Sequence, residues 1–349
     1  MPLRRAGAVC AGALLAVSTA AAQQPRVTDE ASGVTATLQA VSAVSPEVAW
    51  AGGSNGTVLR TIDGGDHWTR LVVPGADRLE FRGVQALSGN EAWVLSAGNG
   101  PDSRIYHTHD GGITWTGQFT NADSSAFYDC IGFFDAKHGI AFSDASQSRT
   151  TILHTDDGGT HWALLPPESV PATLPGEGAF ASSNSCIAIA GDRGWIAAST
   201  PRGRILRSDD AGRTWTVAAD STPLVHGPMA GITALSFRDA HHGIAVAATI
   251  NNAMPHDTSA NAVATTNDGG ATWQLAHRPA APGSLSGGAL VPAAGNGVAV
   301  VATYSGVFVT RDLGQSWTAA AQGLYWAVRA AGKRAWAVGR GGRITRIDF

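Results

Sequence analysis

The stretch Thr61-Ile-Asp63-Gly-Gly65-Asp-His-Trp68 is the first of six versions of one phrase along the chain. The others are Thr108-His-Asp110-Gly-Gly112-Ile-Thr-Trp115, Thr155-Asp-Asp157-Gly-Gly159-Thr-His-Trp162, Ser208-Asp-Asp210-Ala-Gly212-Arg-Thr-Trp215, Thr266-Asn-Asp268-Gly-Gly270-Ala-Thr-Trp273 and Thr310-Arg-Asp312-Leu-Gly314-Gln-Ser-Trp317. An Asp followed two residues later by Gly suits a tight turn between strands. The carboxylate accepts backbone N–H bonds, and Gly takes positive φ without steric cost. The Ser or Thr hydroxyl adds a bond to the same turn, while the Trp opens the return strand and covers the turn with apolar surface. A unit repeated this often solves one packing problem each time. Asp63, Asp110, Asp157, Asp210, Asp268 and Asp312 are therefore read as structural staples.

The six aspartates stand 47, 47, 53, 58 and 44 residues apart, a period that fits one four-stranded propeller blade per repeat. Within a period the pattern is strand, turn, strand, polar loop, strand, box, strand, as in Phe81–Leu87, Glu91–Leu95, Arg104–Thr108 and Thr114–Gln118. After the last box, Tyr325–Ala331, Arg334–Gly339 and Arg343–Ile347 read as three strands of a seventh repeat that lacks its fourth. The segment Arg26–Glu30 is expected to supply it and close the ring, leaving no free sheet edge between the ends. The sequence thus predicts an all-β fold: a seven-bladed β-propeller of four-stranded antiparallel blades, one domain over residues 23–349. Residues 1–22 read as a secretory signal, with Arg4-Arg5 before an apolar run and Ala20-Ala-Ala22 as the cleavage site. The expected product is periplasmic or secreted, monomeric, and without a membrane span after cleavage.

A net charge of −3 and 15% charged residues argue against a polyanion-binding protein, so nucleic acid is not an expected partner. Cys130 and Cys186 remain after signal cleavage, and an even count in an exported chain suits a disulfide, with two buried thiols as the alternative. Cys186 is placed near the second strand of blade four. His107, His109 and His154 superficially suggest a metal cluster. However, His107 and His154 share a third-strand register with Arg60 and Arg207, so they are read as strand-face side chains, and neither metal nor cofactor is expected. The chain has no Gly-x-Ser-x-Gly elbow and no Cys-x-x-Cys pair.

Binding in a propeller is expected at the end of the channel where loops entering the innermost strands converge, opposite the box turns. Alignment on Ala49-Trp50, Ala92-Trp93, Gly139-Ile140, Gly243-Ile244 and Ala335-Trp336 places Gln39, Arg82, Asp129, Thr233 and Tyr325 at equivalent inner-strand positions, with Glu177 close by. These residues differ where the scaffold repeats, which marks them as candidate contacts; a solvated channel lining is the plain alternative. Nine of eleven tryptophans fall into repeated slots, leaving Trp195, read as part of a loop, and Trp326 as candidate surface aromatics. The interruptions 166–178 and 251–261 are expected on the binding face.

The phrase resembles the Asp-box, or BNR, repeat, and the whole mature chain resembles single-domain bacterial BNR propellers. Its cadence is similar to that of the photosystem II assembly and stability factors, a resemblance that implies a non-catalytic scaffold holding a protein partner. The Arg-rich partner patch of those proteins has its nearest analogue here in Arg202, Arg204 and Arg207. Asp boxes also look like those of sialidases and xyloglucan-cleaving glycosidases, which makes a glycoside hydrolase the rival reading. That chemistry needs two carboxyl groups roughly 5 to 9 Å apart. Asp129 and Glu177, read as lying on neighbouring inner strands, are the candidate catalytic pair. The expected partner at the channel mouth is thus a protein or, alternatively, a glycan, with Arg82, Asp129, Glu177, Trp195, Tyr325 and Trp326 as its contacts.

Overall fold

The structure, a computed structural model, describes residues 24–349 except 147–148 and 251–253; the signal segment lies outside the described residues. Seven four-stranded antiparallel sheets form seven blades. Six of them run in chain order from innermost to outermost strand. The seventh consists of Tyr325–Ala331, Arg334–Gly339 and Ile344–Asp348, completed on its outer edge by Arg26–Glu30. The expected closure by the N-terminal strand is therefore present, with Arg26 paired to Asp348 and Glu30 to Ile344.

Each box folds as its residue types dictate. The Ser or Thr hydroxyl donates to the Asp Oδ1 at 2.7–2.9 Å. The same hydroxyl accepts the N–H of the box glycine, 2.8–3.0 Å away. The Asp in turn accepts the N–H four residues on, at 2.9–3.0 Å. Those backbone donors hold the Asp63 and Asp157 carboxyls down at about 2. The last box glycine sits at φ between 85° and 95° in all six copies, beyond the left-handed well that a side chain tolerates. The position before it lies nearer that well, which is why Ala211 and Leu313 stand there at φ 57° and 55°.

The boxes also join blade to blade. Carbonyls of the box turn accept from the preceding blade: Arg60 Nη1 to Gly111 at 2.8 Å, Trp93 Nε1 to Gly158 at 3.2 Å and Trp195 Nε1 to Gly269 at 2.8 Å. Across the closure, Arg346 Nη1 donates to Gly64 at 2.7 Å. Second-strand aromatics stack on the next blade, Trp93 on Phe133 with centroids 3.8 Å apart and Trp195 on Phe237 at 3.7 Å. The core is thus a series of apolar seams between neighbouring sheets.

Glu30 reaches from the closing strand into the seam with blade one. Trp68 Nε1 donates to its Oε2 at 2.7 Å and Arg346 lies 3.4 Å from Oε1. Burial outweighs the Trp68 bond and the nearby charges of Arg346 and Arg334, and pushes the carboxyl up to about 7. The folded protein therefore holds this proton more tightly than the unfolded chain. The resulting stability is complete below the ordinary value of 4.5 and is lost as pH rises through 7. Between pH 5 and 8 this group is expected to remove roughly 2 kcal/mol, a slope that Glu30→Gln flattens in urea unfolding series.

The channel is blocked at its centre. Asn184, at φ 55°, and Ser185 leave blade four and bond to four other blades. Asn184 Nδ2 donates to the carbonyls of Val84 and Ile131 at 3.1 Å, and its Oδ1 accepts Ile131 N–H at 2.8 Å. Arg329 of blade seven donates to Ser185 Oγ at 2.6 Å and to Asn184 O at 2.8 Å, and Leu235 N–H of blade five reaches Ser185 O at 2.8 Å. A disulfide between Cys130 and Cys186, with Cα atoms 6.2 Å apart, fixes this segment to blade three.

Candidate functional site

In six of the seven blades the ladder between the innermost and second strands slips by one residue at one end. A β-bulge of this kind re-aims the extra side chain. The extra residues are Gln39, Arg82, Asp129, Thr233, Ser286 and Trp326, and register places Ser185 at the same level in blade four. Three of the seven are engaged within the ring. Thr233 Oγ1 donates to Leu285 O at 2.6 Å, Ser286 Oγ to Tyr325 O at 2.8 Å, and Ser185 accepts from Arg329. The other four, Gln39, Arg82, Asp129 and Trp326, line one cavity of about 830 Å³.

Loops complete its wall. The interruption at 166–178 contributes Gly176 and Glu177, and the one at 251–261 contributes Met254. Phe127, Phe180, Met229 and Ile250 make one side apolar. Tyr304 lies edge-on to Trp326 with centroids 5.3 Å apart, and its hydroxyl sits 3.4 Å from Met254 Sδ. The box turns do not line this cavity.

Its electrostatics are set by burial. Asp129 is 2% exposed, and desolvation together with the charge of neighbouring Asp144 holds its carboxyl well above the usual carboxylate range. Burial also raises Asp144, against the pull of the Ala179 N–H that donates to its Oδ1 at 3.0 Å. Arg82 donates from Nε to Glu80 Oε2 at 3.0 Å. Glu177 is ion-paired with Arg204 at 2.7 Å, and its Oε2 accepts Leu174 N–H at 3.0 Å.

Arg82, Asp129, Glu177 and Trp326 therefore line one cavity, while the remaining candidates stand elsewhere. Trp195 is not a loop aromatic. It lies on the second strand of blade four, Arg193–Ala198, fully buried and paired with Arg207 in the slot that holds Trp50, Trp93 and Trp336. Tyr325 is buried too, its hydroxyl 2.7 Å from Thr345 Oγ1, and the position at the mouth belongs to Trp326. Glu177 lies in the connection before blade four rather than on an inner strand. Cys186 directly precedes that blade's innermost strand, Ile187–Ala190, and not its second. Arg202, Arg204 and Arg207 form no open basic patch, since each faces a carboxylate: Asp220 at 3.3 Å, Glu177 at 2.7 Å and Asp209 at 3.3 Å. His107 stacks on Trp93 with centroids 4.4 Å apart, and His154 lies 3.6 Å from Asp156.

Asp144, Phe180 and the Asn184-Ser185 plug escaped the sequence reading. Asp144 carried one signal: it follows the second-strand landmark Gly139-Ile140 just where that strand reaches the mouth.

Residues 26–123, which hold the closing strand and the first two blades, match the family model described as photosynthesis system II assembly factor YCF48. No curated protein matches the chain in sequence. Among solved structures, YCF48 bound to D1 peptide is 16% identical with a TM-score of 0.66, covering 94% of this chain and 97% of that one. YCF48 from Cyanidioschyzon merolae is 18% identical with a TM-score of 0.63, covering 92% and 98%. The GH74 enzyme of Niastella koreensis is 13% identical with a TM-score of 0.45, covering 87% of this chain and 62% of that one. With the two YCF48 structures the shared feature is the propeller fold.

Proposed function

We propose that this chain is an exported, non-catalytic propeller that holds a segment of a partner protein in the cavity at its channel mouth. The observation that carries the reading is the asymmetry of the bulge ring. Four of its seven positions present unlike side chains to one cavity with an apolar wall, while the other positions are engaged within the ring. Such a cavity, with apolar side chains beside convergent polar and charged groups, suits a side-chain anchor. The fold shared with a YCF48 structure that holds a peptide supports a protein partner.

A glycoside hydrolase needs one free carboxylate and one protonated carboxyl facing the same bond. Asp129 could serve as the protonated group. Both oxygens of Glu177 are already engaged by Arg204 and the Leu174 N–H, which argues against the second role.

The test is affinity capture from the envelope fraction of the host with the purified protein beside Trp326→Ala. The expected result is a stoichiometric protein partner lost in the variant, and a recovered chain beginning at Gln23. A retained or cleaved polysaccharide, or no partner, overturns the reading.

A further inference from the structure

We propose that the mouth recognises a basic side chain of the partner segment, a guanidinium or ammonium group received between the carboxyls of Asp129 and Asp144. This deepens the protein-binding reading and rests on it. Four carboxyl groups line the cavity: Glu80, Asp129, Asp144 and Glu177. The nearby cations are engaged elsewhere, Arg82 with Glu80 and Arg204 with Glu177. Among the described residues no Lys or Arg forms an ion pair with Asp129 or Asp144. Asp129 Oδ2 is buried and receives no N–H or hydroxyl donor from the surrounding residues. The Asp129 and Asp144 carboxyls instead share a hydrogen bond that requires a proton on the pair, and a cationic donor can take that proton's place.

Two further features select an organic cation on a flexible stem. Phe127, Phe180 and Trp326 line the same cavity and offer apolar, aromatic surface to the alkyl stem of a cation. Among the described residues no three His, Cys, Asp or Glu side chains are grouped to hold a metal ion.

Without a cation, burial and the neighbouring Asp144 make Asp129 hold a proton more readily than an ordinary carboxyl. The groups facing Asp129 are Asp144 from blade three, Arg82 and Glu80 from blade two, and the Glu177–Arg204 pair from blade four. Their balance, with burial, raises the Asp129 carboxyl above its ordinary value. A bound cation favours the carboxylate, so binding releases a proton and affinity strengthens as pH rises.

The experiment pans a random dodecapeptide phage library on the purified protein, and resynthesises the enriched peptide with its basic residue replaced by citrulline or norleucine. Affinities are measured at pH 5.5 and 7.5 on the unaltered protein, on Asp129→Asn and on Asp144→Asn, each variant first checked by its unfolding midpoint. The expected result is one fixed Arg or Lys position in the enriched peptides. Its replacement is expected to weaken binding at least tenfold on the unaltered protein, and at most twofold on a folded Asn variant. Binding of the basic peptide should also be tighter at the higher pH. Enriched peptides that lose affinity with Trp326→Ala but share no basic position overturn this inference and leave the protein-binding reading standing. The absence of any enriched peptide overturns both.

Discussion

Removal of residues 24–30 is expected to lower unfolding stability by about 5 kcal/mol or more and to make the protein associate with itself. The closing strand pairs with Ile344–Asp348 along its whole length, from Arg26 to Glu30. At about 1 kcal/mol for each net hydrogen bond, the ladder alone supplies much of that loss. Asp29 adds a bond from Thr345 Oγ1 at 2.6 Å, and Glu30 anchors Trp68 of blade one. The deletion also bares the edge of Ile344–Asp348, a template for pairing with a second chain. Urea unfolding and light scattering across a concentration series measure the two effects. A synthetic peptide of the missing residues is expected to reverse both, since it restores the fourth strand without restoring the covalent link.

The second large effect is expected at Trp195. Its ring is fully buried, stacked on Phe237 and hydrogen-bonded to the box turn of blade five. Truncation to Ala empties a seam between two blades and leaves the Gly269 carbonyl without its donor, a loss of about 3–5 kcal/mol. Trp326→Ala, at a half-buried mouth position, is expected to leave the unfolding midpoint almost unchanged while it removes partner binding. Paired denaturation and capture measurements separate the two tryptophans: one holds blades together and the other contacts what they carry.

The same pair shows why the fold was readable from sequence while part of the site was not. A box copied six times announces blades, period and ring closure, because each copy answers one local geometric demand. The inner-strand positions were found by counting back a constant distance from the second-strand landmark. That count works for Gln39, Arg82, Asp129 and Thr233, whose blades join the first two strands through loops of equal length. Blades four and seven instead turn through two residues, Gly191-Asp192 and Gly332-Lys333, with the glycines at φ 62° and 57°. The shorter hairpin shifts the count by one, and in a strand a shift of one residue exchanges the two faces. Tyr325 was therefore placed where Trp326 stands, and the landmark Gly194-Trp195 went unrecognised. The plug could not be read at all, since Asn184 is fixed by partners on blades two, three and seven that are remote in sequence.

That plug determines how anything can enter this molecule. With Asn184 and Ser185 bonded to blades two, three, five and seven, threading a polypeptide from one side to the other would require breaking those bonds. Whatever the mouth holds must arrive and depart by the same doorway, as a chain end or a hairpin tip, and the box-turn side is left as a separate surface that never meets the same ligand.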